Sequence, residues 1–153
     1  MRRGQAAIEY LIILAVVVII ALIVIGVIGG FPGMTRGISE RDSAAYWAAA
    51  DVGVTRYFVS AVPSSSLLVV RNNRLFSVNI TGITMGGTAV NGSLATSPLP
   101  LAPGSSASQY ITAPACTAGQ SYSWTTVITY KDSVYGNAYT FTGEKPLVGT
   151  CQT

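Results

Sequence analysis

The side chains able to carry chemistry are few. There is no histidine, and the acids number six: Glu9, Glu40, Asp42, Asp51, Asp132 and Glu144. Without imidazole the chain lacks the commonest general base, proton shuttle and metal ligand, so catalysis would fall to carboxylates, cysteines or hydroxyls. No phosphate loop, paired-carboxylate spacing or Ser-nucleophile motif is present. Glu40, Asp42 and Asp51 lie in a stretch that reads as helix, Asp132 in a turn and Glu144 beside Lys145, each explained as a solvated charge or a cap. Cys116 and Cys151 have no CxxC spacing and no His partner, which removes the usual metal-site patterns. The residues therefore predict no catalytic group, no metal and no cofactor. A cell-surface hydrolase working through carboxylates is the remote alternative.

One acid stands apart. The 26 positions from Tyr10 to Thr35 carry no charged side chain, and all 30 Ser and Thr residues occur at or after Thr35. Leu11 to Ile28 is 18 residues of Leu, Ile, Val and Ala interrupted only by Gly26. At the helical rise this run is about 27 Å long, close to a bilayer core. Glu9 sits just before it, and a carboxylate there is costly unless it meets water, a headgroup or a cation. The segment admits three readings: a cleaved secretory signal, a permanent membrane anchor, or an apolar helix that packs with copies of itself. The first is disfavoured, because signal apolar regions run about 7 to 15 residues and end in a small-x-small site. This run ends instead in Gly26, Gly29, Gly30, Phe31, Pro32 and Gly33.

The residues around the acid, Arg2-Arg3-Gly4-Gln5-Ala6-Ala7-Ile8-Glu9-Tyr10-Leu11, resemble the class III signal peptides of archaeal type IV pilins. That pattern is a short basic leader, Gly, Gln, small residues, then Glu-Tyr-Leu and an apolar helix. The resemblance implies that a prepilin peptidase cuts between Gly4 and Gln5, ahead of the apolar run, and that Gln5, Glu9, Tyr10 and Leu11 serve assembly. It also implies that Glu9, the fifth mature residue, pairs with the N-terminal amine of a neighbouring subunit. Physical chemistry favours the same pairing, since two opposite charges buried together cost less than either alone. The alternative role for Glu9 is a marker of the headgroup edge. An archaellum subunit is a nearer cousin but does not ordinarily carry the Gln5 to Leu11 pattern.

Removing Met1 to Gly4 takes two Arg from a formal charge of +3 and leaves seven basic against six acidic side chains, or +1. This balance supports no nucleic-acid partner. Arg2 and Arg3 read as a positive-inside signal; a twin-Arg export signal rests on the dipeptide alone. Gly26 and Gly30, four apart, could admit a neighbouring helix, while Gly29, Gly30, Pro32 and Gly33 would end or kink the helix in any case. Ser39-Glu40-Arg41-Asp42 fits a capping box ahead of a short helix over Ala44 to Ala50, with Tyr46 and Trp47 as its anchors. The expected divisions are a leader at 1–4, a hydrophobic helix at 5–33, a short or continuing helix at 34–51 and a head at 52–153.

Past Val52 the period changes to two. Phe76, Val78 and Ile80 alternate with polar residues, as do Tyr122, Trp124, Ile128 and Tyr130, and Tyr139 and Phe141. With Val54 to Val59, Leu67 to Val70, Ile83 to Val90 and Gln109 to Thr112, about seven strands are predicted at turn-rich spacing. The predicted fold is α+β: a long hydrophobic N-terminal helix followed by an antiparallel, Ig-like β-sandwich head. Pro98, Pro100, Pro103 and Gly104 predict a long loop, and Lys131 to Asn137 a hairpin connection. Cys116 and Cys151 admit one intramolecular disulfide, worth about 4 kcal/mol for a loop of 35 residues. Asn79-Ile80-Thr81 and Asn91-Gly92-Ser93 are N-glycosylation sequons, Asn79 on the polar face of a strand and Asn91 in a turn.

The function these features predict is a pilin, an adhesive surface-filament subunit. It would polymerise with itself, be cut by prepilin peptidase, rest in membrane lipid and be extruded by an assembly ATPase on its membrane platform. The rival is a single-pass membrane-anchored β-sandwich that binds a partner without polymerising.

Overall fold

Unbroken apolar sequence sets the first element. In the computed structural model, which describes residues 3–29, 32–62 and 64–153, helix α1 runs over Arg3–Gly29, 27 residues. Its side chains are described over 8–24, a stretch of 17 residues. Helix α2 follows over Pro32–Ala49. Proline can lead it because a first-turn N–H has no partner inside a helix. Of the expected packing or kink positions, Gly26 lies within α1, Pro32 opens α2, and Gly30 falls outside the described residues.

The capping box expected at Ser39 is not formed. Because α2 begins at Pro32, Ser39 lies two turns inside it, where the N–H groups it would have capped are already bonded within the helix. The chain divides into two compact units, Met1–Ile38 and Ser39–Thr153, so the last eleven residues of α2 belong to the head unit.

The fold is α+β, with antiparallel strands after the helices. The strands are β1 (Val52–Phe58), β2 (Ser66–Asn72), β3 (Val78–Met85), β4 (Thr88–Ala89), β5 (Leu99–Leu101), β6 (Ser106–Ile111), β7 (Ser121–Trp124), β8 (Thr126–Asp132), β9 (Ala138–Thr142) and β10 (Leu147–Thr150). One sheet has the order β1-β2-β6 and another β4-β3-β8-β9 with β5 also on β3, while β10 pairs with β7. Period two is clearest in β2, where Ser66, Leu68, Val70 and Asn72 are buried and Leu67, Val69 and Arg71 are not. Leu68 and Val70 from one sheet meet Ile80, Ile83, Met85 and Ile128 from the other, and Trp47 of α2 enters the same core.

Three local departures from the predicted strands have identifiable causes. Ile80 and Ile83 belong to one strand, because the register shifts between Ile80 and Gly82 and turns both isoleucines inward. The alternation from Tyr122 to Tyr130 is two strands in different sheets, broken at Thr125, whose carbonyl accepts from Gly86 N–H at 2.9 Å. The proline-rich loop contains strand β5, with Pro100 opposite Asn79. Proline is tolerated there because β5 pairs on one side only and needs no donor on the other. The hairpin at Lys131 to Asn137 forms as expected and joins β8 to β9. Gly136 holds φ of 71° in its turn, a conformation that glycine adopts without strain. Asp132, expected in a turn as a solvated charge or a cap, is the cap: it is 6% exposed and accepts from Val134 N–H at 2.6 Å.

Candidate functional site

The first candidate is α1 itself. Every described side chain from Ile8 to Val24 is exposed, including Tyr10 at 66% and Leu11 at 61%. Glu9 is the one charged residue in that stretch. A helix apolar on every side has no stripe to dock and must be covered all round. Each Leu, Ile or Val left in water forgoes about 1.5–3 kcal/mol of burial. Among the described residues no helix is long and apolar enough to cross a membrane; the expected span Leu11 to Ile28 runs past Val24, where the described side chains end. Gly4 and Gln5 lie in the first turn of α1, and the Gln5 side chain is outside the described residues.

The second candidate is the joint that fixes α2 to the head. β10 has β7 on one edge, and on the other its backbone groups are met by side chains. Ser43 Oγ accepts from Val148 N–H at 3.1 Å and donates to Pro146 C=O at 2.8 Å. Tyr57 Oη donates to Val148 C=O, and Thr150 Oγ1 donates to the Glu40 carboxylate at 2.9 Å. Lys145 pairs with Asp42, and Glu144 N–H donates to Tyr46 Oη at 2.9 Å. Trp47 is fully buried and meets Phe141 edge-on at 5.8 Å. A side chain at Gly143 would overlap the Trp47 ring, so only glycine fits beside it. Tyr46 and Trp47 thus hold the helix as expected. The hydroxyls of Ser43 and Tyr57 were not legible as joints, since the strand edge they serve is assembled from residues about a hundred positions away.

Burial pushes the phenols of Tyr57 and Tyr122 above the ordinary tyrosine range. Tyr122 stacks on Trp124 at 4.3 Å between ring centres, in a small cluster with Val59 and Cys151. Beside this cluster Cys116 and Cys151 form the expected disulfide, with Cα atoms 6.1 Å apart. It ties the loop before β7 to the residue after β10.

The two sequons stand in different settings. Asn79 is flanked by Lys131 of β8 and Pro100 of β5. The Thr81 hydroxyl donates to Thr129 C=O at 3.2 Å. Asn91 lies outside the strands and caps a single 3-10 turn, Gly92–Ala95. Its Oδ1 accepts from Ser93 N–H at 3.1 Å and Ser93 Oγ at 2.6 Å. A groove of about 240 Å³ beside it is lined by Ser64, Tyr110 and Thr112. A larger groove of about 630 Å³ runs between α2 and the outer face of β1-β2-β6, lined by Arg41, Ala44, Arg56, Phe58, Leu67 and Val69.

Helix α1 is thus apolar and exposed along Ile8 to Val24, and the head unit is a β structure closed by a disulfide. Residues 2–28 match the family model for the class III signal peptide, the type IV pilin-like signal. The match points to a type IV pilin-like secreted subunit with a precursor processed by prepilin peptidase. No curated protein matches the chain.

Proposed function

We propose that this chain is a pilin of archaeal type, the structural subunit of an adhesive extracellular filament, with no catalytic role. The observation that carries the reading is the coincidence of the class III signal match at residues 2–28 with a helix exposed and apolar along Ile8 to Val24, Glu9 its one charge. Prepilin peptidase cuts between Gly4 and Gln5. The helix first dissolves in the cytoplasmic membrane, the 18-residue run Leu11 to Ile28 supplying the apolar length. An ATP-driven machine on a membrane platform then extrudes the subunit, and lipid is exchanged for copies of the same helix. Glu9 pairs with the amine of Gln5 on a neighbouring copy, so that neither charge is buried alone. The head, read as an Ig-like sandwich, forms the outer surface.

The test combines electron microscopy of surface filaments with N-terminal sequencing of their subunit. Gln5 is expected as the first residue. Glu9→Ala is expected to reduce filament yield at least tenfold while the exported head retains its disulfide, and normal yield from that variant refutes the pairing. The large groove beside α2 favours a second reading, a membrane-anchored module that binds a partner without polymerising. An uncut Met1 with only monomers in membrane extracts would establish that reading over the filament.

A further inference from the structure

The two sequons differ in the relation between the acceptor amide and the hydroxyl two residues on. At Asn79 both residues lie in β3 on one face, so the amide and the Thr81 hydroxyl are separated by about 7 Å of strand. That hydroxyl is committed to Thr129. The strand is also paired on both sides, with β8 and β5. Fitting Asn79 into an enzyme cleft would require pulling β3 out of its sheet. At Asn91 the chain has left the strands and bends back, so that Ser93 Oγ lies 2.6 Å from Asn91 Oδ1. Donation to Oδ1 draws electron density toward the oxygen and acidifies the Nδ2 protons. Nδ2 itself makes only a long contact, 3.4 Å to Tyr110 C=O. Beside it are the 71% exposed Tyr110 ring and a groove of about 240 Å³, smaller than the roughly 300 Å³ at the low end for drug-sized ligands. The groove is lined by Tyr110 with Ser64 and Thr112, whose hydroxyls bond each other at 3.2 Å, a mixed aromatic and hydroxyl lining that suits one sugar ring.

We infer that Asn91, and not Asn79, is the N-glycan acceptor of this protein, modified in the folded head with the first sugar lying over Tyr110. The donor is a lipid-linked sugar phosphate used by a membrane transferase. Asn91 Nδ2 attacks the anomeric carbon, the bond from that carbon to the phosphate oxygen breaks, the electron pair leaves with the phosphate, and one Nδ2 proton passes to a base of the transferase. The inference rests on the export reading, because such transfer takes place outside the cytoplasm.

The test uses full-length protein from the cells that make it, reduced and alkylated, then cleaved after Met85 and digested with trypsin. No Lys or Arg lies between Leu75 and Lys131, so Met85 alone separates Asn79 on Leu75–Met85 from Asn91 on Gly86–Lys131. Added sugar mass is expected on the second fragment and not on the first. Ser93→Ala is expected to abolish it with Asn91 intact, and Ser93→Thr to restore it. Sugar on the Asn79 fragment, or on neither, overturns the inference. Mass before reduction separates the two failures: a formed Cys116–Cys151 disulfide without sugar rejects the acceptor while leaving export standing, whereas free thiols without sugar reject both.

Discussion

Ser43→Ala removes one oxygen and tests whether α2 is held to the head through the free edge of β10. Ser43 is 3% exposed, and its hydroxyl is the partner of Val148 N–H, at 3.1 Å, and of Pro146 C=O, at 2.8 Å. Pro146 is exposed, so water replaces the lost donor to its carbonyl at small cost. Val148 is half-buried, and its N–H faces α2 beside a cleft of about 210 Å³ that gives a replacement water partial access. An orphaned buried donor costs about 1–3 kcal/mol. Partial access of water places this one at about 1–2 kcal/mol. For a head of this size that corresponds to a fall in Tm of roughly 4–8 °C. The assay is thermal unfolding of the full chain in detergent, followed through the fluorescence of Trp47 and Trp124. Ser39→Ala is the control, an exposed serine on the same helix expected to lie within about 0.5 kcal/mol of the parent. If the two variants unfold together, the Ser43 bridge is not what joins helix to head.

Gly143→Ala drives a methyl into the Trp47 ring and is expected to cost about 1–3 kcal/mol by overpacking. In a double-mutant cycle by denaturant melts, Trp47→Phe should recover part of that loss, and strict additivity would argue against the contact. Tyr57 and Tyr122 titrate above the usual tyrosine range because they are buried. An unfolded chain ionises its tyrosines at about pH 10 while the folded one holds its protons longer. The unfolded state therefore binds fewer protons there, and stability, fully present below about pH 10, falls as pH rises beyond it. Tyr122→Phe should flatten that alkaline loss in pH-jump unfolding, and an unchanged profile counts against the burial account.

Much of the N-terminal segment was legible because its signals are local. Glu9 and the uncharged run after it are adjacent in the chain, and no distant residue is needed to see that such a helix requires cover. Strand existence was legible from period two, but strand identity was not. A single shift at Gly82 merged two apparent runs into β3, and the break at Thr125 divided one run between two sheets. Pro100 masked β5 because proline's meaning depends on whether its strand lies at an edge.

The sequence by itself determined where the apolar helix lies, where the single acid sits within it, and which two cysteines could pair. Each follows from residues next to one another or from a count that leaves no choice. Tertiary structure alone decided that α2 continues through Ser39, that Ser43, Tyr57 and Glu40 close the open edge of β10, and that Gly143 makes room for Trp47. It also decided that Ser93 turns back onto its asparagine while Thr81 turns away. These depend on groups about a hundred residues apart meeting at a strand edge or, at the sequons, on whether the chain is extended in a sheet or turned outside it.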